Sequence, residues 1–417
     1  MSTAAIAAAA RPSSLGRTRS VAGIGKLTGA YFALRGAVVL FCVHVLHLEP
    51  SAGSAAALAL GPALLLLLAF HSLGAVRCVD EGGRGISLRK NPVLVWLCAY
   101  LIFAGASLLW GVTVSPLSSG AYWCGLVLDA AIIVLLLSLY PRQEVAESVL
   151  RGYVLGAYAI AALAWIMPAQ VDLRLGDPDF FNTNQIANVC AFGILFVQYL
   201  ARRGKGRLWL PVFVLSLTLL RTLSKTTLLA AIVSQGILLF RDPEISARTR
   251  RRVLLCAAGL LIASSGLLAS YYDVYTNAGN QAETLTGRTA IWAWAIDKVP
   301  DSPWIGHGFD SMWKVMPPFG IDRFEARHAE NELLQQLYAY GVVGTALFLG
   351  VYVTFFRAIR KSADKRTRLL LKIFLLFIVL RGLAEAEPFD LLLPVWVLVL
   401  FAATVVEPEA TDPRLSD

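Results

Sequence analysis

Long apolar stretches separated by short polar ones make up most of this chain. Most of them approach or exceed the length that an α-helix needs to cross a bilayer, about 20 residues. The stretches cover residues 27–48, 53–76, 93–114, 121–140, 150–168, 183–200, 208–222, 226–240, 253–272, 333–356, 369–384 and 389–405. The pattern predicts an all-α, polytopic membrane protein with about twelve transmembrane helices.

Two neighbouring stretches, 208–222 and 226–240, are the shortest and are separated only by the polar segment "RTLSK", which holds Arg221 and Lys225. A charged side chain at membrane depth is costly and usually has a functional role. A cation at a helix end can also extend along the apolar surface and place its charge among the lipid headgroups. Both interpretations of this segment remain open at the level of sequence.

The composition agrees with a membrane protein, because 57% of the residues are hydrophobic and only 16% are charged. The net charge of +9 comes mainly from alternate loops, which are therefore expected to be cytoplasmic. The positive charge thus reports membrane topology, and we expect no nucleic-acid partner. The resulting division is a cytoplasmic tail (1–26), transmembrane helices one to nine (27–272), a periplasmic loop (273–332), helices ten to twelve (333–405) and a second cytoplasmic tail (406–417).

Cysteine and histidine spacing gives no indication of a metal site. The chain has no CxxC pair and no HExxH, and its predicted outer loops hold no cysteine that could form a disulfide. Walker A and GxGxxG motifs are also missing from the sequence. We therefore expect neither a metal nor a cofactor.

The predicted topology places several polar side chains together on the outer side of the membrane. They lie in 170–185, in RTLSK, in the stretch from Tyr271 to Asn331 and in 381–390. The candidate binding residues among them are Arg174, Asn184, Arg221, Lys225, Arg288, His328, Glu330, Asn331 and Arg381. Singly, each has a structural explanation such as headgroup contact or helix capping. Together they suit a strongly anionic ligand with a lipid tail, such as a lipid-linked phosphate or diphosphate.

The longest outer segment contains "LTGRTAIWAWAIDKVPDSPWIGHGFDSMW" (285–313). Its tryptophans are typical of the membrane interface, and the pattern predicts a short helix along the bilayer surface that the following Pro and Gly residues end. Next, "ARHAENELLQQLYAYGVVG" (326–344) leads from polar residues directly into the tenth predicted span.

These motifs resemble the O-antigen ligase and O-antigen or exopolysaccharide polymerase superfamily of bacterial inner membranes. The resemblance rests on "FFNTNQIAN", "LSK", "GRTAIW", "IGHGF" and "NELLQQLYAYGVVG", which occur in this order over residues 176–350. Arg288 matches the arginine of the family's outer loop. Lys225 stands where a second arginine is usual, with Arg221 one helical turn away as the alternative. Glu330 occupies the usual position of the histidine, and His328 lies two residues upstream.

The resemblance implies a membrane-embedded, GT-C-like glycosyltransferase that acts by inversion and without a metal. It would move a glycan from a polyprenyl (undecaprenyl) diphosphate carrier to a sugar hydroxyl of an acceptor glycan or lipid-linked oligosaccharide, on the periplasmic face of the inner membrane. The fixed cations would stabilise the departing diphosphate, and Glu330 or His328 would act as the base. In a regular helix these two side chains would point about 200° apart, so that only one of them could face the acceptor.

Several functions remain open. Polymerisation of exopolysaccharide or O-antigen repeat units is the first, and ligation of O-antigen to lipid A core is its close alternative, because both use the same donor chemistry. A transporter or flippase of lipid-linked glycan would be expected to show internal repeats and mid-bilayer polar groups, neither of which the sequence displays. A scaffold protein would not require the group of outer cations.

Overall fold

The computed structural model describes residues 14–75, 91–170, 173–177, 180–204, 209–277, 287–319, 325–387 and 389–406. These residues form helices and connecting loops without a β-sheet, and their one isolated bridge joins Asp177 and Phe181. The all-α prediction is therefore confirmed. Of the two predicted tails, residues 1–13 and 407–417 lie outside the described residues.

The described residues contain fourteen α-helices. They are α1 (Ser14–His44), α2 (Pro50–Ala75), α3 (Pro92–Ala106), α4 (Pro116–Leu139), α5 (Arg142–Ile166), α6 (Thr183–Arg202), α7 (Trp209–Thr222), α8 (Lys225–Arg241), α9 (Ala247–Ala263), α10 (Ser265–Asn277), α11 (Arg288–Lys298), α12 (Glu332–Lys361), α13 (Lys365–Gly382) and α14 (Val395–Val406).

Every predicted span contains a helix, but the count of about twelve spans is not confirmed. Seven helices are long and apolar enough to cross a membrane, or eight if α9 and α10, which meet at a bend of 52°, form one broken span. The expected shortness of the two helices around RTLSK is confirmed, since α7 has 14 residues and α8 has 17. Helix α13 has 18 residues, and five of them are Lys or Arg.

Side-chain caps explain where several helices begin. Asn91 and Ser115 each accept a hydrogen bond from a backbone N–H of the following helix, and each precedes a proline in the first turn. Asn182 forms a capping box with Gln185 at the start of α6. For Asn182, the capping interpretation of the "FFNTNQ" motif is therefore confirmed.

Aromatic packing around α14 forms the centre of the bundle. Residues 395–403 are all buried, and the Trp396 ring stacks on Phe32 of α1 with 4.4 Å between ring centroids. Trp396 also meets Phe196 of α6 edge-on, at 5.9 Å. Helix α14 is therefore a central helix that its neighbours cover.

An ion-pair network between a partly exposed arginine and two largely buried carboxylates also connects distant segments of the bundle. Arg35 of α1 forms an ion pair with Asp129 of α4, and its second guanidinium nitrogen lies 3.4 Å from Asp390, which precedes α14. The sequence analysis did not single out these residues. Buried charges of this kind are tolerated when they are paired, and removal of one partner usually destabilises strongly.

A break in α12 anchors the loop that precedes this helix. Gly341 has φ 61° and ψ −163°, a conformation that is essentially restricted to glycine. The break leaves the backbone groups of neighbouring residues available to the loop. Their hydrogen bonds are His307 N to Tyr338 O (3.0 Å), Gly308 N to Ala339 O (2.7 Å), Val342 N to Pro303 O (2.9 Å) and Val343 N to Trp304 O (3.0 Å). The glycines in "IGHGF" and "GVVG" are thus parts of one interface.

The helix expected after Gly287 is α11, and its inner face packs on α12. Ile291 and Ala295 belong to a small second core that includes Met312 and Tyr338. Trp294, which we expected at the bilayer surface, packs against this core with its ring centroid 5.4 Å from that of Tyr338. The loop before α12 is therefore supported by its own apolar contacts.

Candidate active site

Arg288 is the first residue of α11, and it forms an ion pair with Glu330. Gly287 immediately before it adopts the left-handed conformation, with φ 82°, which turns the chain into the helix. The Arg288 Nη2 and Nε atoms lie 3.1 Å and 3.2 Å from Glu330 Oε2. The two side chains are only 17% and 18% exposed, so solvent screens this pair less than a surface ion pair.

Glu330 and His328 face the same space, contrary to what a helical arrangement would give. Residues 325–331 are not helical, and Glu330 has φ 50°. The backbone N–H of Glu330 donates to His328 Nδ1 at 3.2 Å. The condition of a regular helix through 328–332, under which only one of these side chains could face the acceptor, is therefore not met.

Glu385 is a fourth acidic or basic side chain at this site, after Arg288, Glu330 and His328, and it was not among the site residues predicted from the sequence. Its side chain is 5% exposed, and its Oε2 atom lies 4.0 Å from Arg288 Nη2. Burial raises the pKa of Glu385 to about 8, and the nearby Glu330 carboxylate adds to the increase. The acidic "RGLAEAEPFD" stretch was the sequence signal that could have identified it.

His328, Glu330 and Glu385 form the arrangement that could hold a metal ion. Each offers one ligand atom, and these atoms lie within 4.8 Å of one another. The spacing of these residues in the chain gave no sign of such a set. The Arg288 guanidinium contacts Glu330 and approaches Glu385, and so places a positive charge where a metal would also be attracted. The expectation of a metal-free site stays a prediction.

Arg381 is buried beside this centre. Its side chain is 1% exposed, and Nη2 lies 3.2 Å from Glu387 Oε1, while Nε and Nη1 have no hydrogen-bond partner among the described residues. Its burial excludes the alternative that Arg381 extends to the headgroups. Asn331 connects the start of α12 with the segment that follows α13. Its side chain accepts from Leu334 N as the cap of α12, and its Nδ2 donates to Leu383 O at 3.0 Å.

The remaining predicted binding residues form a second group around RTLSK. Asn184 accepts a hydrogen bond from Ser224 Oγ at 2.8 Å, and Arg221 donates to the Leu173 carbonyl oxygen. Lys225 begins α8 and lies over the Tyr271 ring, 5.6 Å from its centroid. Arg174 is half-buried, and its carbonyl oxygen accepts from Gln170 N.

Helix α13 contacts both α8, the helix that begins at Lys225, and α12, the helix that begins directly after Asn331. Arg381 lies in its last turn. That Lys225 or Arg221 acts on the same ligand as Arg288 stays a prediction.

Comparison with known proteins shows which family part of the chain resembles. Residues 210–349, which include Lys225, Arg288, His328, Glu330 and Asn331, match the sequence profile of a family described as "O-Antigen ligase". The match covers about a third of the chain, and over that region the chain is similar to this family. The predicted resemblance is therefore confirmed, and the family supports a glycosyltransferase-like enzyme with several membrane-spanning helices.

Two relatives extend this comparison beyond the residues that match this family. The chain is 24% identical over 366 residues to the exopolysaccharide production protein ExoQ of Rhizobium meliloti (strain 1021). This alignment covers 76% of the present chain and 81% of the relative. It is 26% identical over 178 residues to an O-antigen ligase of Pseudomonas aeruginosa, covering 38% of this chain and 42% of that protein. Both names support a function in glycan transfer.

Proposed function

We propose that the protein transfers a glycan from a polyprenyl diphosphate carrier to a sugar hydroxyl at the periplasmic face of the inner membrane, with inversion and without a metal ion. The observation that carries the proposal is the partly buried pair of Arg288 and Glu330, with His328 and Glu385 beside it. It combines a fixed cation for a leaving diphosphate with a carboxylate for an attacking hydroxyl.

In this mechanism the acceptor hydroxyl oxygen attacks the anomeric carbon as the bond from that carbon to the diphosphate oxygen breaks. The hydroxyl proton passes to the base, and the diphosphate leaves with the bonding electron pair. A single displacement inverts the anomeric centre. When the donor binds, Arg288 exchanges part of its contact with Glu330 for diphosphate oxygens, which leaves the carboxylate available to the proton.

The hydrogen bond within the 328–330 segment supports Glu330 as the base. His328 Nδ1 accepts from the Glu330 backbone N–H, so the neutral ring carries its proton on Nε2. In that tautomer the ring presents a donor at Nε2, which suits a contact with the acceptor oxygen or a diphosphate oxygen. Glu330 is then the group with a free electron pair for the proton.

Polymerisation of repeat units is the reaction we favour. The similarity to the exopolysaccharide production protein extends over 76% of the chain, whereas the similarity to the O-antigen ligase extends over 38%. Ligation to lipid A core is the second candidate, and the similarity to an O-antigen ligase supports it.

The test is a reconstituted reaction with purified protein in liposomes and an undecaprenyl diphosphate-linked oligosaccharide as donor. Chain growth on a second lipid-linked oligosaccharide is expected. Transfer only to an added lipid A core acceptor would identify a ligase. If neither an extended oligosaccharide nor a glycosylated lipid A core forms, the proposal of glycan transfer is contradicted. Movement of the donor across the bilayer without new glycosidic bonds would instead identify a transporter.

A further inference from the structure

A cavity of about 170 Å³ lies beside the α3–α4 connection. Its volume is roughly ten times the space that a single water molecule requires. The lining residues are Thr113, Val114, Ser115, Ser118, Asp310, Trp313 and Lys314. The cavity therefore combines hydroxyls, a carboxylate, an ammonium group and an indole ring, and none of these side chains belongs to the proposed reaction centre.

Asp310 provides the strongest indication that this cavity binds a ligand. The residue is 9% exposed, and its Oδ2 atom accepts a hydrogen bond from Ser119 Oγ at 2.7 Å. Its Oδ1 atom is buried and has no hydrogen-bond partner among the described residues. A buried acceptor without a partner is costly, and a ligand hydroxyl would supply the missing donor.

Trp313 and Lys314 give the cavity an amphipathic character. The Lys314 ammonium group lies 4.9 Å from the Trp313 ring centroid, and the Arg327 guanidinium lies 5.4 Å from the same centroid. Among the lining groups, the charges of Asp310 and Lys314 oppose each other. A neutral ligand with many hydroxyls and an apolar ring face matches this lining better than an ion.

The backbone connects the cavity to the candidate active site. Arg327, which contacts Trp313, immediately precedes His328. Asp310 follows the loop whose backbone is bonded to the break in α12 and, through Val112 N and His307 O at 2.9 Å, to the α3–α4 connection. The cavity is thus linked to the segment that carries Glu330 through the Arg327 contact and these backbone hydrogen bonds.

We propose that this cavity is a subsite for one neutral sugar residue of the glycan substrate, with Asp310 accepting from a sugar hydroxyl and the Trp313 ring packing against the sugar. The proposal deepens the proposed function and rests on it for the identity of the substrate. The subsite positions the glycan so that the reacting hydroxyl or anomeric carbon reaches Glu330 and Arg288.

The test uses three variants of the full-length protein. Asp310→Asn removes the charge and suits the left-handed backbone of this position, where φ is 56°. Trp313→Ala removes the ring, and Ser118→Phe fills the cavity from an exposed position. Trp304→Ala is the matched control, because this tryptophan lies in the same loop, is 68% exposed and does not line the cavity.

Binding is measured by saturation-transfer NMR with neutral methyl pyranosides, and transfer is measured with the undecaprenyl diphosphate-linked oligosaccharide. We expect each of the three variants to lose most of the NMR signal and to raise KM by about tenfold, with kcat nearly unchanged. Trp304→Ala should behave as the wild type. Unchanged KM and unchanged NMR signals in all three variants would overturn the subsite.

Two further outcomes separate the subsite from the proposed reaction. If the wild type forms no glycosidic bond, but methyl pyranosides bind and lose binding in Asp310→Asn and Trp313→Ala, the subsite stands and the proposed reaction is wrong. If a methyl glucuronide binds more tightly than its neutral counterpart, the assignment of a neutral sugar is overturned.

Discussion

Arg288 presents a planar, two-pronged cation at the start of α11, and its geometry leads to a prediction. Arg288→Ala should reduce glycan transfer to background, and Arg288→Lys should restore only a small part, because an ammonium group cannot chelate two oxygens. The measurement is the rate of chain growth in liposomes, together with the elution profile of each variant as a control for folding. Transfer at the wild-type rate in Arg288→Ala would remove this residue from the site.

The proposed roles of Glu330 as the base and of His328 as a hydrogen-bond donor lead to different expected effects of their substitution. Glu330→Gln should lower kcat by about 10²–10⁴-fold, the usual contribution of a general base. His328→Asn keeps an acceptor for the Glu330 backbone N–H but lacks a titratable ring, and it should lose much less activity. The reverse order of the two kcat values would assign the base to His328.

Glu385 predicts a particular pH dependence. Its pKa of about 8 arises from burial and from Glu330 and Glu387, while Arg381 and Arg288 oppose the increase. Above pH 8 its ionisation adds negative charge beside the proposed diphosphate site, so wild-type transfer should decline there. Glu385→Gln, which stays neutral, should extend the activity to higher pH. A decline at the same pH in both proteins would show that another group titrates.

The raised pKa of Glu385 also makes the free energy of unfolding depend on pH. The folded protein binds the Glu385 proton more tightly than the unfolded chain, whose glutamate pKa is about 4.3. The free energy of unfolding should therefore fall as the pH rises between about 4.3 and 8 and then become constant. The Tm in detergent should decrease less for Glu385→Gln than for the wild type between these pH values. An equal decrease in both proteins would contradict this account.

At the scale of elements, the break in α12 holds the loop that precedes this helix. Gly341→Ala would place a Cβ against the Trp304 backbone, at a φ that is unfavourable for alanine. We expect a lower Tm and loss of transfer, at a cost of about 1–3 kcal/mol or more. Gly236→Ala in α8 is the control, because no atom lies within 4 Å of the added Cβ. Equal Tm values for the two variants would contradict an anchoring role for the break.

At the scale of the whole molecule, the distribution of Lys and Arg predicts the topology. In a cysteine-free background, Asp301→Cys should react with an impermeant maleimide in intact cells, because residues 273–330 are expected outside. Arg248→Cys, in the basic segment before α9, should react only after permeabilisation. Both positions are exposed in the structure. Labelling of both in intact cells would refute the convergence of the polar residues on one face.

The sequence predicted the membrane-spanning character and most of the candidate site for local reasons. Hydrophobic runs determine which segments are helical in lipid, and the polar motifs near 288 and 328–331 each occupy a few consecutive residues. The number of spans was less secure, because helices such as α13 and α14 are charged or short and depend on neighbours for their burial. The helical geometry assumed for His328 and Glu330 does not hold either, because the chain leaves the helical conformation there.

The sequence by itself determined that this chain is an all-α membrane protein with a long polar segment that carries Arg288, because apolar length and local motifs are properties of contiguous residues. Only the tertiary structure decided that Arg288 meets Glu330, 42 residues away, and that Glu385 and a buried Arg381 lie beside them. It also decided that Asp310 and Trp313 line a cavity with the α3–α4 connection. Such pairings depend on how helices pack and where one of them breaks, and neither hydropathy nor periodicity encodes the resulting distances.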